Sequence, residues 1–370
     1  MRKAFKYRLF TNKTQESKLN SLLDSARFLY NCALEHRIIC YKQWRKSINY
    51  YDQANGLKEI REFDEDIAQL NYSVSQNTLR QLDKAFQSFF RRIMSGDKPG
   101  FPRFKGKDRF NSITFPSYGN GIQIKNGKLY IQNVGHIRIK LHRNLEGKIK
   151  TVTIKRKNGR FYASFSCNEV PQNILPISDK EIGIDVGIKS FAVMSNGQVI
   201  ENPKYLKQSE AELKEIQSQY SKKRSKNLKR KLARLHEKVS NQRKDFQHKL
   251  SKEIVDNFGY IFVEKLQPKQ MVENNYRIMS KYINDTAWAQ FFNFLRYKAE
   301  SAGRTMIEVN PKNTTQACSR CGKIVPKDLS VRIHDCPYCN LKIGRDLNSA
   351  YNILRRGQRL VSKTEAVCLN

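Results

Sequence analysis

Two Cys-x-x-Cys pairs, Cys318-Ser-Arg-Cys321 and Cys336-Pro-Tyr-Cys339, share one short stretch, Asn310 to Leu354, with a carboxylate, Asp346. A Cys-x-x-Cys turn can aim both sulfurs at one ion, and two turns complete a tetrahedral set. The spacing therefore predicts Zn²⁺ held by Cys318, Cys321, Cys336 and Cys339. Two disulfides or four buried thiols are the alternatives, and a basic chain without a signal-peptide core disfavours the disulfides. His334 lies near the second pair but, with four cysteines in place, reads as a bystander. After the second pair, Leu347, Ala350, Tyr351 and Leu354 recur at helical spacing. Asp346 thus sits at a helix start, where the dipole stabilises a carboxylate and an N-cap role is open to it.

Two further acids interrupt apolar runs upstream. Ile182-Gly-Ile-Asp185 and Ile261-Phe-Val-Glu264 each read as a buried strand ending in a carboxylate, a costly placement unless the acid meets a cation or donors. Two acids on strands and one at a helix start can converge at one sheet edge. Hard oxygen ligands suit Mg²⁺, and a pair of such ions activates water and stabilises the leaving oxygen in phosphodiester hydrolysis. Ribonuclease-H-like nucleases are built this way. The chain has no GxSxG, Walker loop or HExxH to compete. Three unrelated carboxylates would be the bland alternative.

Composition points to the substrate class. The 370 residues carry 69 Lys and Arg against 34 Asp and Glu, a formal charge of +35. Such an excess repels itself in a compact fold unless a polyanion is bound, so nucleic acid is the expected partner and a membrane surface the weaker one. Residues 222–234 alone hold eight Lys and Arg and no acid. No run of about 18 apolar residues occurs, and the opening MRKAFKYRLF alternates basic with apolar, so a soluble cytoplasmic protein is expected. Cys32, Cys40, Cys167 and Cys368 are scattered, as suits small packing residues in a reducing compartment.

The elements that must position these groups can be read in order. Lys3–Phe10 alternates as a strand with Phe5, Tyr7 and Leu9 on one face. Asn12 and Gln15 form a possible capping box before a long amphipathic helix. A polar loop around residues 54–56 leads through a middle helical segment to a second strong helix from Ser75. Its Leu79, Leu82, Phe86, Phe89, Phe90 and Ile93 are expected to be core. Residues 98–107 mix Pro and Gly with Phe101, Arg103, Phe104 and Lys105, as in a nucleic-acid-facing linker or a plain domain boundary. Strands follow, with Asn126-Gly127 and Asn158-Gly159 as hairpin turns, and a small antiparallel barrel completed by the first strand is expected. The acid-bearing strands then alternate with helices up to the cysteine segment.

GIDVGIKSFAV, FVEKL, NTTQACSRCG and CPYCNLKIGRDLNSAYNIL resemble, in order, the three RuvC motifs and the zinc finger of the TnpB family, encoded by insertion sequences and related to compact type V CRISPR nucleases. LDKAFQSFFRR and KPGFPRFKG resemble that family's N-terminal half, so the resemblance covers nearly the whole chain. It implies a multidomain α+β architecture: a β-barrel wedge domain from 1–10 and 99–176, a helical recognition domain over 11–98, and an RNase-H-like RuvC α/β nuclease domain over 177–370 with a zinc-ribbon insertion at 312–342. It implies RNA-guided DNA endonuclease activity, in which pairing between guide RNA and target double-stranded DNA supplies specificity and protein reads a short flanking motif. By motif, Asp185, Glu264 and Asp346 become the catalytic Mg²⁺ ligands and the four cysteines the structural Zn²⁺ ligands. Arg345 becomes a contact to substrate phosphate. Gln76 and Asn77, early in the second strong helix, are the choice for reading the flanking duplex, with plain surface polarity as the alternative. A monomeric ribonucleoprotein, associated with the nucleoid when on DNA, is implied.

Lys265 stands where the family often has an acid, and the tail after Leu360 is short and polar, expected to be disordered or on the surface. A guide-dependent DNA-binding repressor without cleavage and a strand-transferring transposase are the competing functions. The first would be marked by loss of an acid, and all three are present.

Overall fold

A computed structural model describes residues 1–107, 109–273, 276–328 and 330–368. The chain divides into two compact units, Met1–Pro171 and Gln172–Asn370.

The first unit begins with β1 (Lys3–Phe10) and α1 (Lys13–Trp44). Asn12 and Gln15 close the capping box that starts α1, and Arg45, at φ 52°, ends it. Short helices α2 (Tyr50–Asn55), α3 (Leu57–Phe63) and α4 (Glu65–Ala68) lead to α5 (Tyr72–Met94). The expected loop at 54–56 is shorter than predicted, because Asn49 caps a helical turn that runs up to Gly56. The strands β2 (Ser112–Phe115), β3 (Ile122–Lys125), β4 (Lys128–Ile131), β5 (Gly135–Lys140), β6 (Lys148–Lys157) and β7 (Arg160–Asn168) follow.

Among the described residues β1 to β7 form one seven-stranded sheet in the order β2-β6-β7-β1-β5-β4-β3. The N-terminal strand lies in its middle, antiparallel to both β7 and β5. The sheet stops one pairing short of the predicted barrel, since β2 and β3 stand at the two ends of that order. Asn126 and Gly127 (φ 48° and 69°) and Asn158 and Gly159 (φ 50° and 73°) take the left-handed conformations that two-residue hairpins require. Phe5, Tyr7 and Leu9 share one buried cluster with the inward faces of α1 and α5.

One expectation fails here. Leu79 and Leu82 of α5 are buried, but Phe90 is 53% and Ile93 49% exposed, and Phe86 and Phe89 are half-buried. The helical period continues past the end of the core, so the last turns of α5 present aromatic rings outward.

The second unit holds β8 (Glu181–Val186), β9 (Ser190–Met194), β10 (Val199–Glu201), α6 (Tyr205–Gln208), α7 (Glu210–Lys222) and α8 (Lys226–Asn257). These are followed by β11 (Tyr260–Glu264), α9 (Pro268–Glu273), α10 (Arg277–Thr286), α11 (Trp288–Ala302), β12 (Thr305–Val309), β13 (Ile333–Asp335), β14 (Lys342–Gly344) and α12 (Arg345–Cys368). The sheet order is β10-β9-β8-β11-β12, with β8, β11 and β12 parallel and the β8-β9-β10 meander antiparallel. Ile182, Ile184, Ile261 and Val263 face a cluster with α8 and α11. Phe262 packs on the other face with Ile353 of α12. The sheet is thus covered on both faces, as parallel strands require. Beyond Leu360, α12 continues through Cys368. The eight basic residues of 222–234 are all exposed.

Candidate active site and metal centre

Strand register decides where the first two acids lie. Val263 of β11 stands opposite Ile184 of β8 on parallel strands, so Glu264 and Asp185 are the next neighbours along the two strands. Parallel neighbours run about 4.8 Å apart, and side chains alternate faces. Gly183 and Asp185 therefore share a face with Phe262 and Glu264, the face that α12 covers.

Two glycines let α12 lie close. A Cβ on Gly183 would collide with the Ala350 carbonyl oxygen and the Leu354 amide, and one on Gly357 would enter the Phe262 ring. Gln358 donates to Glu181 at 2.5 Å, so contacts run down β8 as the helix runs back up to its first turn. That turn holds Asp346, whose charge reaches Asp185.

The three carboxyls differ in their supports. Asp185 is held well above the usual carboxylate range, first by burial and then by the charges of Glu264 and Asp346, with Arg345 and Ser349 pulling the other way. Glu264 is raised by burial and lowered by a hydrogen bond from Thr314 and by Arg356. Asp346 Oδ1 accepts from Nε and Nη2 of Arg345, both at 3.1 Å. Arg345 Nη1 donates to the Val331 carbonyl at 3.1 Å, and the side chain is 12% exposed. This arginine, expected at substrate phosphate, is anchored to the third acid.

Thr314 is a site residue that the sequence reading passed over. Its hydroxyl donates to Glu264 Oε1, and its carbonyl accepts from Asn352 Nδ2 at 2.8 Å. Asn348 accepts from the Ser319 amide and donates to the Ala317 carbonyl, each at 2.8 Å, and Asn352 also donates to Ala317 at 2.7 Å. Asn348 and Asn352 are four apart on α12 and so lie on one face. Two buried amides at i and i+4 beside a Thr-rich loop were the available signal.

The four cysteine sulfurs gather as the spacing predicts. Their ligand atoms lie within 4.8 Å of one another, with Cys318 and Cys339 at 3.5 Å and Cys321 and Cys336 at 3.7 Å. Four thiolates about 2.3 Å from one tetrahedral ion lie about 3.8 Å apart, so the cluster can hold a metal ion such as zinc. Gly322 (φ 76°) and Asn340 (φ 55°) follow the two pairs in left-handed turns, and the Gly322 and Asn340 amides bond back to Cys318 and Cys336. Burial opposes the Cys318 thiolate, but the Cys321 and Arg320 amides and His334 outweigh it and bring that thiol to about 5. Burial and the neighbouring cysteines push Cys339 up to about 12. His334 is fully buried, and its Nδ1 meets the Lys327 ammonium. It is a neighbour that favours the thiolate of Cys318.

Gln76 and Asn77 lie in the second turn of α5, because the helix begins at Tyr72 rather than Ser75. Both are half-buried, and Asn77 Nδ2 reaches the Thr114 carbonyl of β2 at 3.5 Å.

Family profiles match three parts of the chain: a helix-turn-helix domain at residues 1–46, the probable transposase OrfB_IS605 at 164–275, and the TNB domain of Cas12f1-like proteins at 288–353. A putative RNA-guided DNA endonuclease of Streptomyces pristinaespiralis is 29% identical, the alignment covering 96% of this chain and 90% of that protein. TnpB-like protein L79 of Acanthamoeba polyphaga mimivirus is 31% identical over 56% of this chain and 43% of its own length. These matches together span most of the chain and are what a relative of the TnpB proteins would show. A solved structure of the mini RNA-guided endonuclease Cas-phi3 shares the fold of this chain at TM-score 0.52 and 9% identity, covering 96% of this chain and 92% of the other. In this chain the stretch matched as helix-turn-helix is a strand followed by one 32-residue helix. No helix among the described residues is long and apolar enough to cross a membrane.

Proposed function

We propose that this chain is an RNA-guided DNA endonuclease of the RuvC type, with Asp185, Glu264 and Asp346 as its metal-binding acids. One observation carries the reading. Asp185 of β8 is deeply buried at the carboxyl ends of parallel strands, the place where open α/β sheets bind ligands, and the charges of Glu264 of β11 and Asp346 of α12 both reach it. That arrangement destabilises the ionised acids unless divalent cations neutralise them. Two Mg²⁺ ions held there would supply a water-derived nucleophile and neutralise the leaving oxygen.

The chain's own groups do the positioning. Thr314 fixes Glu264, Arg345 fixes Asp346 and offers the cation that a phosphate beside that acid would meet, and Gly183 keeps α12 on β8. Zn²⁺ is the proposed occupant of Cys318, Cys321, Cys336 and Cys339, and the fold around it is the zinc ribbon of a RuvC domain. The excess of +35 supports a guide RNA and target DNA as the partners, with Gln76 and Asn77 as the proposed readers of the flanking duplex. The first relative's name supports the same activity.

The test is cleavage of matched double-stranded DNA by the protein purified with its RNA. Asp185→Ala is expected to keep DNA binding and lose Mg²⁺-dependent cutting. Undiminished cutting would defeat the assignment of the acids, and binding without any cutting by the unaltered protein would defeat the endonuclease reading.

A further inference from the structure

Phe86, Phe89 and Phe90 of α5 line a cavity of about 740 Å³ between α1, α5 and the segment after α5. Phe101 stands edge-on to Phe86 at 5.5 Å and to Phe89 at 5.3 Å, and Phe86 and Phe90 stack at 6.3 Å. Phe90 and Phe101 remain about half exposed, at 53% and 48%. Tyr41 and the basic side chains of Lys42 and Arg45 complete the rim.

One polar group in the wall is incompletely satisfied. Arg37, 6% exposed, bonds Gln53 at 2.8 Å and Asp83 at 3.1 Å and lies 5.1 Å over the Phe86 ring, but its buried Nη2 has no hydrogen-bond partner.

We infer that this cavity binds an unpaired nucleobase of a single-stranded RNA, stacked on Phe90 and Phe101 with Lys42 and Arg45 on the flanking phosphate. Aromatic faces exposed at the mouth of a cavity and rimmed by cations match the two faces of a nucleotide, one apolar and flat, one anionic. An apolar peptide or a second copy of this +35 chain would gain nothing from Lys42 and Arg45 and would bring further positive charge to the rim. The choice of RNA rests on the guide-RNA reading, whereas the cavity, its exposed rings and its basic rim stand without it.

The test uses the full chain with the RNA that co-purifies with it. Ultraviolet cross-linking followed by mass spectrometry is expected to place a ribonucleotide adduct on Phe90, Phe101 or Tyr41. Phe90→Ala and Phe101→Ala, which remove exposed rings, are expected to weaken binding of a single-stranded ribo-oligonucleotide by about fivefold to a hundredfold, the loss of one base stack. Binding of duplex RNA should not change, and Phe101→Trp should restore affinity because it keeps a π-face. Adducts elsewhere with unchanged affinity in both alanine variants would overturn the cavity assignment while leaving the guided-nuclease reading intact. Selective loss of a single-stranded DNA instead, or conversion of a dimer to a monomer by Phe101→Ala, would overturn it in favour of those occupants. If the unaltered protein binds no RNA, both readings fall.

Discussion

Thr314 donates its hydroxyl to Glu264, so the acid at the end of β11 is held by the residue that leads into the first cysteine pair. Through its carbonyl the same residue is tied to Asn352 of α12, the helix that opens with Asp346. A hydrogen bond to a charged group contributes about 1.5–3 kcal/mol. Thr314→Val is therefore expected to reduce cleavage at limiting Mg²⁺ by roughly tenfold to a hundredfold and to raise the Mg²⁺ concentration needed for half activity. Thr314→Ser should keep most activity, and zinc content should stay unchanged in both. Equal losses in Val and Ser variants would show that shape, and not the hydroxyl, is what Glu264 needs.

Asp185 should make the metal-free protein less stable at neutral pH. Its folded carboxyl titrates above the ordinary range because of burial and then of Glu264 and Asp346. A raised acid penalises the folded state increasingly as pH rises above the unfolded pKa of about 4, the penalty is complete above the folded value, and it is lost again as pH falls back through that interval. In EDTA, Asp185→Asn should raise the melting temperature by several degrees at pH 7.5, and the gain should shrink toward pH 4. Added Mg²⁺ should stabilise the unaltered protein more than the variant. A gain that does not change with pH would refute the electrostatic account.

Gly183 is required by distance rather than by φ. A methyl group there meets the backbone of α12 at Ala350 and Leu354, which cannot swing away as a side chain can. Overpacking of this kind costs about 1–3 kcal/mol or more, so Gly183→Ala should lower the melting temperature of the second unit by roughly 3–10 °C. Because Gly183 shares its strand face with Asp185, activity should fall further than stability. Calorimetry beside cleavage rates checks this, and a variant with unchanged melting would show that α12 can shift at no cost.

Much of this site was readable before any coordinates, because alternation and register are local. The runs ending in Asp185 and Glu264 show apolar residues on both faces, and such strands belong inside a parallel sheet. The cysteine spacing needed no fold at all. What escaped was non-local. Thr314 looks like a loop residue until β11 is placed beside it, and Asn348 and Asn352 look like polar positions on a solvated helix face. The Phe stripe of α5 misled for a related reason: a 3.6-residue period shows that rings share a face but not where the core behind that face ends. Leu82 is fully buried while Phe90, two turns on, is half exposed.

Metal removal should disturb the acids as well as the cysteines. Asn348 holds the Ala317 carbonyl and the Ser319 amide, on either side of Cys318, and Asn352 holds Thr314 and Ala317. When the ion leaves, four thiols whose charges repel must reprotonate, and the turn around Cys318 loses the bond that fixes it. That turn is what Asn348 and Asn352 grip, so both amides lose buried partners, and Thr314 loses its fixed position against Glu264. Chelation, or Cys336→Ser, should therefore speed amide exchange at residues 314–322 and in the first two turns of α12, while β1 to β7 keep their protection. Mg²⁺-dependent cleavage should fall at least tenfold and return with Zn²⁺ but not with further Mg²⁺. The unaltered protein should carry one zinc per chain by atomic absorption. If the metal-free protein keeps its exchange pattern and cuts at the original rate, the cysteine cluster and the three acids are independent, and the amide bonds between them carry no functional coupling.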